Sequence, residues 1–414
     1  MSIIISFSLK PKGTWLYGQG WNIEKMQEFS KDLAREQGFY CETAGDFVIY
    51  QFCPEGYLWM QWKNHQIQGS SQTNVAGPGF HAAVIYFLEL YAVRGNMGLW
   101  VEDRTGYYED RDFVRMRRDY FYQWYSDLMN QTVETAGRSG RQMICWPSDY
   151  YLPEEKEGMV VTHIRPFPVW EIEQIVRSGM SMAFAKDFFI WNEEEKDAYY
   201  YRNSGLVRMN QECYFMPSDR SQEDRTINEE ILRLLEKALE MKPDIPFPKE
   251  EYVKLCNLAG KEPMNHNQAP ELMKGAEIGC RKGLLFRTIG CMRFAVPGTY
   301  LYDNRQQGNG QRYYDGRNQN NHDYYICAVH MSGQADFYEA SFEKKNIEQV
   351  LEFTKDGVKY KVAVYHPREL KEKMVFSMAA QVICKSQLTI ISIHYDSREE
   401  QDWALDLVRK VCMA

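Results

Sequence analysis

The chain holds no CxxC pair, and its ten cysteines (Cys41, Cys53, Cys145, Cys213, Cys256, Cys280, Cys291, Cys327, Cys384 and Cys412) follow no regular spacing. That pattern gives neither a zinc ribbon nor a disulfide framework, and reads as reduced, buried thiols in a cytoplasmic protein. A membrane-length apolar run is missing too: the longest, Ala82–Leu88, is far short of the ~20 residues a spanning helix needs. Met1–Phe7 is apolar but lacks a charged leader, so it reads as a first β-strand rather than an export signal. Concentrated positive charge is also lacking. The formal net charge is −8, and the densest basic group, Arg115, Arg117 and Arg118, is flanked by acids, which excludes the footprint that nucleic acid requires.

Chemical signatures are equally sparse. His65, His81, His163, His266, His322, His330, His366 and His394 form neither HExxH nor a helical ligand pair, so no metal is expected. No serine stands in a GxSxG elbow, and Gly69–His81 matches neither GxGxxG nor Walker A and signals no nucleotide; no cofactor is expected. Cys145 lies between apolar neighbours, where a thiol is inert rather than nucleophilic.

What the sequence does have is aromatic area: 28 Tyr, 21 Phe and 10 Trp, which serves cores and contact surfaces alike. Its length of 414 residues exceeds one ordinary core. The prolines of 242–248 and the polar, Pro-punctuated stretch 260–270 place a junction near residue 266. The expected organisation is an N-terminal domain over 1–265, a linker over 266–275 and a C-terminal domain over 276–414.

The fold class expected is α+β. In the first domain, strands are read at Ile3–Leu9, Phe47–Phe52, Tyr57–Trp62 and Gly98–Glu102, and helices at Asn22–Gln37, Phe80–Val93 and Asp112–Asn130. Thr226 and Glu229 form a capping-box pattern before a further helix. In the second, strands are read at Leu284–Arg287, Met292–Val296, Tyr324–Met331, Val358–Val364 and Leu388–Tyr395, with a polar loop over Asp303–Asp323. A closing helix follows Ser397 and Glu400. This order of elements in the last ~140 residues, strands and then an amphipathic helix, resembles the PsbP/Mog1-like α/β sandwiches.

Three constellations carry candidate chemistry. The first is Gly69–His81, a glycine-rich approach to an apolar helix. Pro78 suits the first helical position, Gly77 the cap, and Gly79 leaves room for a close approach. Free N–H groups there can hold an anion, making Asn74, Gly77, Gly79 and His81 ligand-binding candidates. His81, in the first turn, is also a candidate base. The competing reading is a packing joint between helix and sheet. The second is the acidic run Glu102–Asp112, where Asp103 is a candidate catalytic carboxylate and Asp112 or Asp110 a helix cap. The third is Phe188–Asn203, read as a hairpin with an acidic tip whose Tyr199, Tyr200 and Tyr201 are protein-contact candidates.

Acidic balance, abundant Tyr and Trp and the lack of an assembled catalytic motif point to a non-catalytic module that binds another protein. In composition the chain looks like the bacterial immunity proteins, which neutralise toxins by occupying their active surfaces. The alternatives are a hydrolase or transferase using His81 with Asp103, and a structural or secretion-system accessory unit.

Overall fold

The structure, a computed structural model, describes residues 2–12, 20–136, 143–147, 151–154, 156–179, 181–213, 215, 222–272, 278–279, 281, 283–303, 310–315, 322–333, 335–338, 342, 346–370 and 373–414. Cys280, the end of the expected linker (273–275) and residues 304–309 and 316–321 of the expected polar loop lie outside them. The fold is α+β with several antiparallel sheets. The chain forms two compact units. One comprises Met1–Trp146, Glu155–Cys213 and Thr226–Ile278; the other comprises Pro147–Glu154, Tyr214–Arg225 and Gly279–Ala414.

The first unit is built on a six-stranded sheet of β1 (Ile4–Pro11), β2 (Tyr40–Ala44), β3 (Phe47–Cys53), β4 (Gly56–Lys63), β5 (Gln66–Gln72) and β6 (Met97–Asp103). Its order is β2-β3-β4-β5-β1-β6, antiparallel at every pairing. The period-2 alternation of Val48, Tyr50 and Phe52 on β3 and Leu58 and Met60 on β4 turns those side chains to one buried face. Against that face packs α1 (Ile23–Gln37), capped by the Asn22 side chain and closed by Gly38 in the left-handed region (φ 71°). Beside it lies α2 (Pro78–Arg94), apolar around most of its circumference. A helix of that kind must be covered on more than one side. The sheet takes one side, through Phe87 against Tyr50 and Phe52. Helical residues 113–136 supply Phe121 on another, against His81. That helical stretch is capped by Asp112, as expected, π-wound over Arg117–Tyr122, and continues as α3 (Gln123–Ala136).

Three local expectations are corrected. Gly69–Gln72, read as the start of a glycine-rich approach to the helix, is the end of β5, because Gly69 sits beneath Phe7 on the neighbouring strand. A Cβ there would lie 2.4 Å from the Phe7 ring and 2.1 Å from the Trp59 carbonyl. The 188–203 hairpin does not form. Asp197 accepts a hydrogen bond from the Tyr200 N–H and starts a helix, α4 (Ala198–Gln211), so an N-cap outweighs the β-propensity of three tyrosines. Thr226 lies inside α5 (Gln222–Met241) instead of capping it. A shorter helix, α6 (Lys249–Leu258), follows.

The second unit carries β7 (Leu284–Ile289), β8 (Met292–Pro297), β9 (Tyr300–Tyr302), β10 (Gly310–Asp315), β11 (Asp323–His330), β12 (Ile347–Lys355), β13 (Val358–Leu370), β14 (Lys373–Cys384) and β15 (Gln387–Tyr395). Seven of them form a sheet in the order β9-β10-β11-β15-β14-β13-β12. The β7–β8 hairpin is extended by Leu152–Pro153 on one edge and Cys412–Met413 on the other. β10 therefore replaces part of the loop expected over 303–323. The closing helix, α7 (Gln401–Arg409), begins behind the Ser397–Glu400 capping box that the sequence predicts.

Candidate functional site

His81 and Asp103 come together, although 22 residues separate them in sequence. The first turn of α2 carries His81 and the end of β6 carries Asp103; His81 Nε2 lies 3.3 Å from Asp103 Oδ1, with both side chains fully buried. Thr105 donates its backbone N–H and its hydroxyl to the same carboxylate, at 2.9 and 2.8 Å. On its other side, His81 Nδ1 lies 3.0 Å from Thr73 Oγ1. Burial pushes the Asp103 carboxyl up, but the hydrogen bond and charge of His81 and the Thr105 donors outweigh it and hold the pKa at about 2. The group is a closed polar network walled by Phe121 and Tyr107 rings.

The glycine-rich helix start is filled by protein. Gly79 N–H donates to the Trp191 carbonyl and Trp191 N–H donates to the Ala76 carbonyl, at 2.9 and 2.8 Å. A Cβ at Gly79 would lie 2.1 Å from the Glu193 carbonyl, and one at Gly77 (φ 109°) 2.6 Å from the Trp191 carbonyl. Asn74 is buried and its Oδ1 accepts from the Ile3 N–H at 3.3 Å. The N–H of Gly79 that could meet an anion thus already holds a carbonyl. Geometrically the segment is a joint between α2 and residues 189–193.

Tyr199, Tyr200 and Tyr201 occupy the first turn of α4. Tyr200 is buried, whereas the other two are half-buried. Tyr200 and Tyr201 border a cavity of about 620 Å³ within the first unit. Its wall also includes Lys196, Ser204 and Arg208, Glu230 and Arg233 from α5, and Cys53 at the end of β3. Sequence reading passed over Lys196, Arg208 and Arg233. Only Arg208 has a local signal: Tyr200, Ser204 and Arg208 recur every four residues on α4 and so share one face.

The sheet of the first unit shows a second kind of site. The face away from α1 and α2 carries two cross-strand rows. One runs Glu42, Ile49, Trp59, Ser70, Ser6, Glu102, and the other Ala44, Phe47, Gln61, Gln68, Ser8, Trp100. Trp59 is 48% exposed and Trp100 57%. Tyr40 and Tyr57, also exposed, flank Gln51 in a third row. Among the described residues, no three His, Cys, Asp or Glu side chains cluster as a metal ion would require, and no helix is long and apolar enough to cross a membrane.

No family model matches the chain, and no curated protein does. Partial structural likenesses exist. One is to the PsbP protein (CyanoP) of Synechocystis, at 10% identity, covering 34% of this chain and 97% of that one with a TM-score of 0.26. Another is to a Bacteroides thetaiotaomicron protein, at 11% identity, covering 31% of this chain and 47% of that one with a TM-score of 0.23. Each of these likenesses spans about a third of this chain.

Proposed function

We propose that the chain is a non-catalytic protein-binding module that acts through the open face of its six-stranded sheet. The observation behind this reading is the exposed set Tyr40, Phe47, Tyr57, Trp59 and Trp100, interleaved with uncharged Gln and Ser. Interface centres have this composition: large aromatic anchors, few charges, and polar groups that bond a partner without a heavy desolvation cost. Glu42 and Glu102 lie on the two edge strands, so acids rim the patch. With a net charge of −8, the partner this surface suits is a basic protein. In its finer form the reading is of the immunity kind, in which the module covers a basic partner's working surface.

The test compares the wild-type chain with the Trp59→Ser/Trp100→Ser double variant as immobilised bait in native lysate. A basic protein retained in stoichiometric amount by the wild type and lost by the variant, at unchanged thermal midpoint, supports the proposal. Equal retention by both, or no stoichiometric partner for the wild type, refutes it.

The second reading, a hydrolase or transferase, draws on the convergence of His81, Asp103 and Thr105. It requires the buried network to open to substrate. Hydrogen exchange of the Thr105 amide at the global unfolding rate would remove it.

A further inference from the structure

Lys196 lines the cavity of the first unit without a counter-charge. Among the described residues no carboxylate lies within ion-pair distance of its ammonium, which instead stands 4.9 Å from the centres of the Trp191 and Tyr200 rings. Half-buried there, it loses water that no acid replaces, and burial lowers its pKa despite a small opposing contribution from Cys53. Arg208, by contrast, is neutralised, 2.9 Å from Glu212 and 3.4 Å from Glu230. Arg233 projects from α5 into the same cavity and, like Lys196, makes no ion pair among the described residues. One concave space thus carries two cations of different chain segments that make no ion pair among the described residues, one of them half-buried.

We propose that this cavity binds a small molecule bearing an anionic group on a planar apolar body. The anion supplies the charge that Lys196 and Arg233 lack, and a charge-assisted hydrogen bond to a half-buried ammonium is stronger than one to a solvated surface lysine. The aromatic lining, Tyr40, Phe52 and Tyr201, presents area for the body of the ligand. A volume of about 620 Å³ fits a small ligand and excludes a folded partner or a duplex. The cavity shares Tyr40 with the proposed sheet-face set, but its two cations and its volume do not depend on that reading.

Isothermal titration of the full chain with phenyl phosphate, benzoate and inorganic phosphate tests the proposal. Saturable one-to-one binding of phenyl phosphate or benzoate is expected, weaker for inorganic phosphate, and the stronger of the two aryl probes identifies the anion class. Affinity should fall about tenfold or more in Lys196→Met and in Arg233→Gln, and stay unchanged in Arg94→Gln, whose partner Glu36 lies outside the cavity. Arg233 is exposed, so its variant keeps the test valid if Lys196→Met lowers the yield of folded protein. Failure of both aryl probes to bind saturably below about 10 mM, or undiminished affinity in either folded variant, overturns the proposal.

Discussion

His81 and Asp103 meet at 3.3 Å inside the first unit, each enclosed by protein, and the contact makes a carboxylate part of the fold's stability. The Asp103 pKa is depressed from its ordinary 3.8 to about 2. A depressed carboxyl contributes fully above its unfolded pKa, and the contribution is lost as pH falls through the folded one. Stability attributable to Asp103 should therefore persist at neutral pH and vanish between about pH 4 and pH 2. Asp103→Asn is expected to cost about 2–3 kcal/mol at pH 7 and nothing extra near pH 2. Urea unfolding of both proteins across that range checks it; parallel pH profiles would refute the assignment.

Gly79 packs where no side chain fits. An added Cβ would meet the Glu193 carbonyl and the Trp191 ring, both at 2.1 Å, and the former is backbone that cannot swing aside. Gly79→Ala should lose about 3 kcal/mol or more, the upper range of overpacking. Gly98→Ala is the control, since its nearest neighbour, the Lys10 carbonyl, stands 3.8 Å away. That change should shift stability by less than about 1 kcal/mol. Thermal midpoints of the two variants separate a packing joint from a generic loss of glycine.

These two sites show how far the chain could be read unaided. The apolar run of α2, with Pro78 at its start, announces a buried helix, and Ser397 and Glu400 announce the cap of α7. β5 escapes because Gln66, Gln68, Ser70 and Gln72 face outward and only Ile67 and the small Gly69 and Ser71 face in, leaving no apolar alternation to detect. α4 escapes because β-propensity in Tyr199–Tyr201 hides the short-range cap from Asp197. The cavity is illegible for a different reason. Cys53, Lys196, Arg208 and Arg233 are joined by tertiary packing alone, which no local period records. His81 and Asp103 were visible as residue types, but their enclosure depends on Phe121 and on residues 189–193, which lie far along the chain.

Gln387 links the two sheets of the second unit. Its Oε1 accepts from the Cys291 N–H at 2.8 Å, while its Nε2 donates to the Ile289 carbonyl at 2.9 Å. Both partners flank Gly290, the left-handed residue (φ 59°) of the β7–β8 turn. Gln387→Leu keeps the volume but leaves the Cys291 N–H unpaired and takes from the Ile289 carbonyl its bond to Gln387. An unpaired group of this kind costs about 1–3 kcal/mol, and a loss of about that size is expected. Guanidinium unfolding followed by hydrogen exchange of the β13–β15 amides reports this unit specifically.

Arg202 on α4 is fully buried, and its guanidinium is spoken for in several directions at once. It donates to Asp187 Oδ1 at 2.7 Å, to Asn203 Oδ1 at 2.7 and 3.0 Å, and to the Pro246 carbonyl at 3.3 Å. A planar fork can serve these acceptors together, whereas an ammonium on a lysine stem cannot reach all of them. Arg202→Lys should therefore destabilise despite keeping the charge, by about 2 kcal/mol, and Arg202→Met by about 3 kcal/mol, because Asp187 then loses its cation. Asp187 is partly exposed, so water softens the second loss below that of a wholly buried pair. Equal stability of the lysine variant and the wild type would show that charge alone, rather than the fork, holds α4 to residues 186–189 and to Pro246.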